Sequence, residues 1–195
     1  MSRAAASRKR EAGLAPASSP RYIPTVTRFY LDHNATSPLR GAARTKMLDA
    51  LRSVGNPSSI HAEGRAARAV VEEAREKVAA LVGGCARNVV FTSGATEALN
   101  LALSPHWRWP QGAPTKLLLS ATEHVAAHDG HDFGENAEIL PVDADGVLDL
   151  EALDAALARA GGAVLLCLQA ANNETGVLQP VAAAAERVHA ADGLV

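Results

Sequence analysis

An α/β fold with a mostly parallel sheet and flanking helices is the class that this sequence predicts, on two observations. From Phe29 onward, short apolar runs bounded by turn residues alternate with longer segments at helical period, the pattern of strands joined by crossover helices. The runs are also continuously apolar, as in Leu117-Leu118-Leu119, which suits strands covered on both faces. With 195 residues, 48% of them hydrophobic, the chain is long enough to bury one substantial core.

Taken in order, residues 1–28 are rich in Ala, Ser and Arg, contain Glu11 as their one acid and lack the apolar stretch of a secretory signal. A disordered N-terminal extension is expected there; a transit peptide has a similar composition. Residues 29–195 form the folded part. Helices are expected over 39–54, 62–82, 96–103, 149–160 and 181–191, the second ending at Gly83 and Gly84, which take the left-handed conformation readily. Strands are expected over 88–92, 116–120, 137–142 and 163–168. Prolines 105, 110 and 114 with Gly112 make residues 104–115 a loop, and Gly130 and Gly134 mark a second one over 128–138. The last residues read as a helix end, a glycine turn and the start of a further buried strand, so the fold is expected to be truncated within a larger domain.

Composition narrows the functional classes. Nineteen basic residues against 21 acidic ones leave no basic field for a nucleic acid. No run approaches the roughly 18 apolar residues of a membrane helix, so a soluble protein is expected. The two cysteines, Cys85 and Cys167, have neither disulfide-framework nor zinc-type spacing, which leaves a reducing cytoplasm as the default location. His124, His128 and His131 share part of a helical spacing, but Gly130 interrupts it and no HExxH-like carboxylate accompanies them, so no metal site is assigned.

Five polar segments could carry chemistry. In Phe91-Thr92-Ser93-Gly94-Ala95-Thr96-Glu97 an apolar run breaks at a glycine and a helix begins at once, which is an anion-binding geometry; the same residues also serve as an ordinary helix cap with Glu97 in a capping box. Thr122-Glu123-His124 follows a strand, where an imidazole can stack on a planar ring or move a proton. Asn172-Asn173-Glu174-Thr175-Gly176 follows another strand and suits either a polar ligand edge or a turn. Asp32-His33-Asn34-Ala35-Thr36 and Gly55-Asn56-Pro57-Ser58-Ser59-Ile60-His61 precede the sheet and read equally as capped turns.

In this order the five segments resemble the cysteine desulfurases and selenocysteine lyases, in the class V aminotransferase branch of the pyridoxal-phosphate (PLP) enzymes of fold type I. The resemblance covers residues 29–195. It implies PLP as cofactor, with Ala95 and Thr96 at its phosphate, His124 stacked on its ring as a catalytic proton-transfer group, and Asn173 bonded to its ring oxygen. It places Asn34, Ala35 and Thr36 at the substrate end, and residues 56–61 near a dimer interface. The implied reaction removes sulfur from L-cysteine, or selenium from L-selenocysteine, to leave alanine and an enzyme persulfide. A sulfur-acceptor protein, a homodimer and a place in sulfur metabolism and iron–sulfur cluster assembly follow with it.

The family's Schiff-base lysine and sulfur-accepting cysteine fall beyond Val195. None of Lys9, Lys46, Lys77 and Lys116 matches that lysine, and Cys85 and Cys167 read as structural, so the expectation is an inactive fragment. The other readings are a non-catalytic binding or dimerisation partner of an intact homologue, and a different class V lyase.

Overall fold

A computed structural model describes residues 29–110 and 112–195, so the extension expected over 1–28 lies outside the described residues. The chain divides into two units, one running to Thr36 and the other from Ser37 to Val195. In the described part of the first, the Asp32 carboxylate accepts from the Ala35 amide at 3.1 Å and the Asp32 carbonyl from the Thr36 amide at 3.4 Å, closing a turn of the kind short acidic side chains favour. The Tyr30 and His33 rings meet edge to face at 5.3 Å.

The second unit contains α1 (Gly41–Leu51), α2 (Ala62–Leu81), α3 (Ala95–Ala102), β1 (Lys116–Ser120), α4 (Val125–His128), β2 (Ala137–Leu140), α5 (Leu150–Arg159), β3 (Val164–Cys167) and α6 (Val181–Ala190). The strands form a parallel sheet in the order β2-β1-β3, with Leu118 opposite Glu138 on one side and Leu166 on the other. Alternation then sorts the side chains. Leu118, Val164 and Leu166 pack with Leu153 and Ala156 of α5 and Ala184 and Val188 of α6. Leu117, Leu119 and Leu165 pack on the opposite face with Leu103, Ala127 and Phe133. Helical segments on both faces explain why β1 is apolar at successive positions and why residues 117 to 120 are at most 1% exposed.

Side-chain caps open α2, α4 and α5. Asp149 accepts from the amides of Glu151 and Ala152 at 2.9 and 3.1 Å to open α5, and His61 accepts from Gly64 at 3.4 Å to open α2. Gly55 and Gly64 sit where the loop before α2 packs so closely that a Cβ on Gly64 would lie 2.3 Å from the Ser59 carbonyl oxygen. The segment Gly55 to His61 is thus a capped turn, with Asn56 Oδ1 accepting from the Ser58 amide at 2.9 Å.

Two expectations are corrected. Residues 88–92 do not form a strand: Ala86–Asn88 is a 3-10 turn, and Val90 and Phe91 are exposed. A strand exists only by pairing, and none of the three strands pairs with this segment. The strand expected over 137–142 ends at Leu140, because Val142 turns away into an antiparallel bridge with Leu148 around Asp143, whose carboxylate accepts from Asp145 and Val147 at 2.9 Å each. The further strand expected at the C-terminus is present as a start: Leu194 bridges Leu165 in parallel, its amide donating to Val164 and its carbonyl accepting from Leu166, both at 2.8 Å. At the preceding turn the left-handed residue is Asp192, φ 56°, and Gly193 serves close packing instead, since a Cβ there would meet Val188 Cγ1 at 2.7 Å. No helix among the described residues is long and apolar enough to cross a membrane.

Because Leu118 is fully buried at the centre of one core, Leu118→Ala is expected to lower unfolding stability by about 2–5 kcal/mol. Denaturant unfolding followed by circular dichroism measures this, and a loss below about 1 kcal/mol would contradict the packing described.

Candidate functional site

Helix α3 opens at Gly94, whose backbone is extended (φ 176°) and which has no side chain to cap the helix. The first intrahelical bond runs from the Ala98 amide to the Gly94 carbonyl at 3.1 Å. Amides of the first turn have no acceptor within a helix, and they point along its axis with the positive end of the dipole. Around Gly94 a Cβ would meet nothing within 4 Å, so the approach to these amides is open. Ser93 does not face that approach as a free donor. Its amide and its hydroxyl both donate to Glu97 Oε2 at 2.6 Å, and the hydroxyl first, then the amide, holds the Glu97 carboxyl below its ordinary range. Ser93 and Glu97 therefore satisfy each other, and no side chain caps the first-turn amides of α3.

Thr96 lies on a cavity of about 290 Å³ lined by Asn100, His124, Val125, Ala126, Asp129 and Gly130 as well. Two residues far apart in sequence, one at the start of α3 and one at the start of α4, are thus brought to the same space. The ring of His124 caps α4: Ala126 N–H donates to His124 Nδ1 at 3.0 Å. Asn100 ties the two helices together when its amide nitrogen faces the Gly130 and Thr96 carbonyls, at 3.0 and 3.1 Å, the orientation that satisfies both. Gly130 permits this approach, since a Cβ there would lie 2.2 Å from the Ala126 carbonyl oxygen.

The carboxyl ends of β1 and β3 form the second part of the site. The chain leaves β1 toward β2 on one side and leaves β3 toward Leu194 on the other, so the crevice between β1 and β3 is where an open parallel sheet places ligands. Here Glu123 Oε1 accepts from the Gln169 amide at 2.7 Å, and the Thr122 carbonyl accepts from Asn172 Nδ2 at 2.9 Å and from the Gln169 side chain. Asn172 is only 9% exposed, and its Oδ1 accepts from Glu174 N, Thr175 N and Thr175 Oγ1 at 2.8 to 3.1 Å. Asn173, half-buried beside it, donates to Glu174 Oε1 at 2.9 Å.

Burial pushes the Glu123 carboxyl up, opposed by the Gln169 amide and by His128. The Cys167 thiol, 4.0 Å from Glu123 Oε2, is pushed up to about 12 by burial and then by that carboxylate. A thiol so disposed is no nucleophile near neutral pH, in keeping with its structural reading.

Asn34, Ala35 and Thr36 belong to the first unit, in the turn that Asp32 closes. Among the described residues no group of three or more His, Cys, Asp or Glu side chains could hold a metal ion. Sequence reasoning assigned no role to Gln169 or Asn100, gave Gly130 only as a loop residue and helix breaker, and gave Asn172 and Glu123 only as motif letters. Their work lies in contacts up to 50 residues apart, for which the sequence carries no local signal.

The donor set suits PLP. Helix-terminal amides and the Thr96 hydroxyl suit a phosphate, and an imidazole on the same cavity suits a planar ring. The volume, about 290 Å³, lies just below the roughly 300–1,000 Å³ of small-molecule sites.

Two measurements check this electrostatic picture. Exposed Cys85 is expected to react with a thiol reagent at pH 8 while Cys167 stays unmodified until the protein is unfolded, which mass spectrometry resolves. For Glu123, a raised folded pKa means that its contribution to stability is present below the ordinary 4.5 and is lost as pH rises through the folded value. Glu123→Gln keeps an acceptor for the Gln169 amide, so its thermal midpoint is expected to match or exceed the parent's at pH 7 and to lose that advantage at pH 4.

Known proteins share the sequence pattern and the fold of this chain. Residues 29–195 match the Aminotransferase class-V family. An IscS-like cysteine desulfurase of Mycobacterium tuberculosis is 37% identical over 161 residues, covering 78% of this chain and 41% of the relative. A human cysteine desulfurase is 36% identical over 172 residues, covering 85% and 37%. Among solved structures, a NifS-like protein from Rickettsia africae superposes with a TM-score of 0.73 at 29% identity, over 84% of this chain and 45% of that one. The chain thus spans about two fifths of the length of the curated relatives it matches. With the family match taking in everything from Phe29 to Val195 and the parallel sheet superposing on a solved NifS-like fold, this chain belongs to the class V aminotransferase family.

Proposed function

We propose that this chain supplies the phosphate-holding and ring-holding part of a PLP site in a protein of the cysteine desulfurase type, with L-cysteine as the substrate. The observation that carries the reading is the single cavity lined by both Thr96 and His124. The desulfurase names of the relatives support the substrate. A sulfur-acceptor partner, a homodimer, a cytoplasmic location and a role in iron–sulfur cluster assembly extend the same reading to the whole protein.

When bound, PLP supplies an electron sink for bonds at the amino acid's α-carbon. The residues of this chain bind and orient. Ala95 and Thr96 offer backbone amides at the N-terminus of α3, and the Thr96 hydroxyl adds a donor, so a dianionic phosphate is held by dipole and hydrogen bonds together. Asn173, on the neighbouring loop, would offer its side-chain amide to the oxygen on the cofactor ring.

The role of His124 follows from its cap. With Nδ1 accepting from Ala126, the neutral ring carries its proton on Nε2, so the ring presents a donor there. Taking up a second proton requires Nδ1 to give up the Ala126 amide. The neutral ring therefore donates a hydrogen bond through Nε2, and it can accept a proton only at Nδ1, at the expense of the cap.

Titration of the purified protein with millimolar PLP, followed by NMR, is expected to shift the Thr96 amide and the His124 ring together, with inorganic phosphate competing. Thr96→Ala is expected to weaken binding roughly tenfold, the scale of one lost hydrogen bond to a charged group. Borohydride treatment is expected to fix no adduct on Lys9, Lys46, Lys77 or Lys116. Shifts confined to residues away from α3 and α4, or a stable lysine adduct, contradict the reading.

A further inference from the structure

Helix α4 is a single turn of four residues, Val125–His128. So short a helix has little stability of its own, because the nucleation cost is spread over very few bonds. The position of His124 at its start must come from what holds the chain on either side. On the far side Asn100 grips Gly130. On the near side, the two residues before His124 are held by three bonds from the segment after β3: Gln169 N–H to Glu123 Oε1, and the side-chain amides of Gln169 and Asn172 to the Thr122 carbonyl.

Asn172 is well suited to this. Its Oδ1 is used within its own turn by Glu174 and Thr175, and its Nδ2 reaches across the crevice to Thr122. An aspartate could serve the turn but could not donate across, and a glutamine would be longer by a methylene. The next residue is Asn173. One buried amide therefore links the loop that carries His124 to the loop that carries Asn173.

We propose that Asn172 and Gln169 are positioning residues for His124, and that their side-chain amides, both bonded to the Thr122 carbonyl, clamp the His124 and Asn173 loops into one unit. This deepens the reading of His124 and Asn173 as groups at a PLP ring and rests on it for its functional meaning.

Two variants separate the clamp from an ordinary turn. Asn172→Asp keeps the acceptor for Glu174 and Thr175 and removes the donor to Thr122. Gln169→Met keeps side-chain length and removes the other donor. The measurement is native-state amide hydrogen exchange of the chain by NMR, with no ligand present. In both variants the Ala126 amide, which is bonded to His124 Nδ1, is expected to exchange roughly tenfold faster than in the parent, the scale of one lost hydrogen bond. Leu118 and Leu166 in the sheet are expected to keep parental rates, as are Glu174 and Thr175 in Asn172→Asp.

Parental exchange at Ala126 in both variants overturns the proposal. So does acceleration of Leu118 and Leu166 in step with Ala126, which is global destabilisation. Since no cofactor enters the readout, a failure here is distinct from a failure of the PLP titration.

Discussion

Parallel pairing of β1 on both of its edges is the constraint on which the rest of the second unit depends. Each of its backbone groups is committed to β2 or β3, and its side chains alternate between two cores that are closed by different helices. A strand so placed can only deliver the chain to the carboxyl edge of the sheet. Thr122, Glu123 and His124 therefore emerge beside Gln169 and Asn172, which leave the neighbouring β3 in the same direction. The candidate site is a consequence of register: Leu119 opposite Cys167 brings the two exit loops side by side.

Around that edge the polar groups divide by task. Some are consumed internally. Ser93 and Glu97 satisfy each other at the mouth of α3, and Asn172 uses both ends of its amide. Others face a cavity, above all Thr96 and His124. The difference is physical. Ser93 and Glu97 are satisfied by partners within four residues, whereas the first-turn amides of α3 have no such partner and stay available to an anion. The electrostatics of the crevice point the same way. Burial pushes up both the Glu123 carboxyl and the Cys167 thiol, and the thiol, raised to about 12, adds no negative charge near neutral pH.

Much of this arrangement was legible in the residues. All five expected helices occur within about two residues of their expected bounds at most ends, because amphipathic period and capping are local properties: Asp149 announces α5 and Gly83 ends α2 with a positive φ. The central strand was equally plain in Leu117-Leu118-Leu119. The segment 88–92 looked the same on paper and is not a strand, because its apolar and β-branched content cannot supply a neighbour with which to pair. At the C-terminal turn the sequence showed a glycine, but the left-handed residue is Asp192, and Gly193 answers to the proximity of Val188.

By itself the sequence determined the α/β class, the helices, the apolar central strand and the family motifs at Thr96, His124 and Asn173, because each depends on residues close in the chain or on a pattern of residue types. Tertiary structure alone decided that Thr96 and His124 share a cavity, that Asn172 and Gln169 bond the loop before His124, and that Cys167 is buried against Glu123. Those facts depend on strand order and register, which bring residues as many as 50 positions apart into hydrogen-bonding distance. No window of sequence contains that geometry, since the pairing free energy that selects it exists only once both strands are in place.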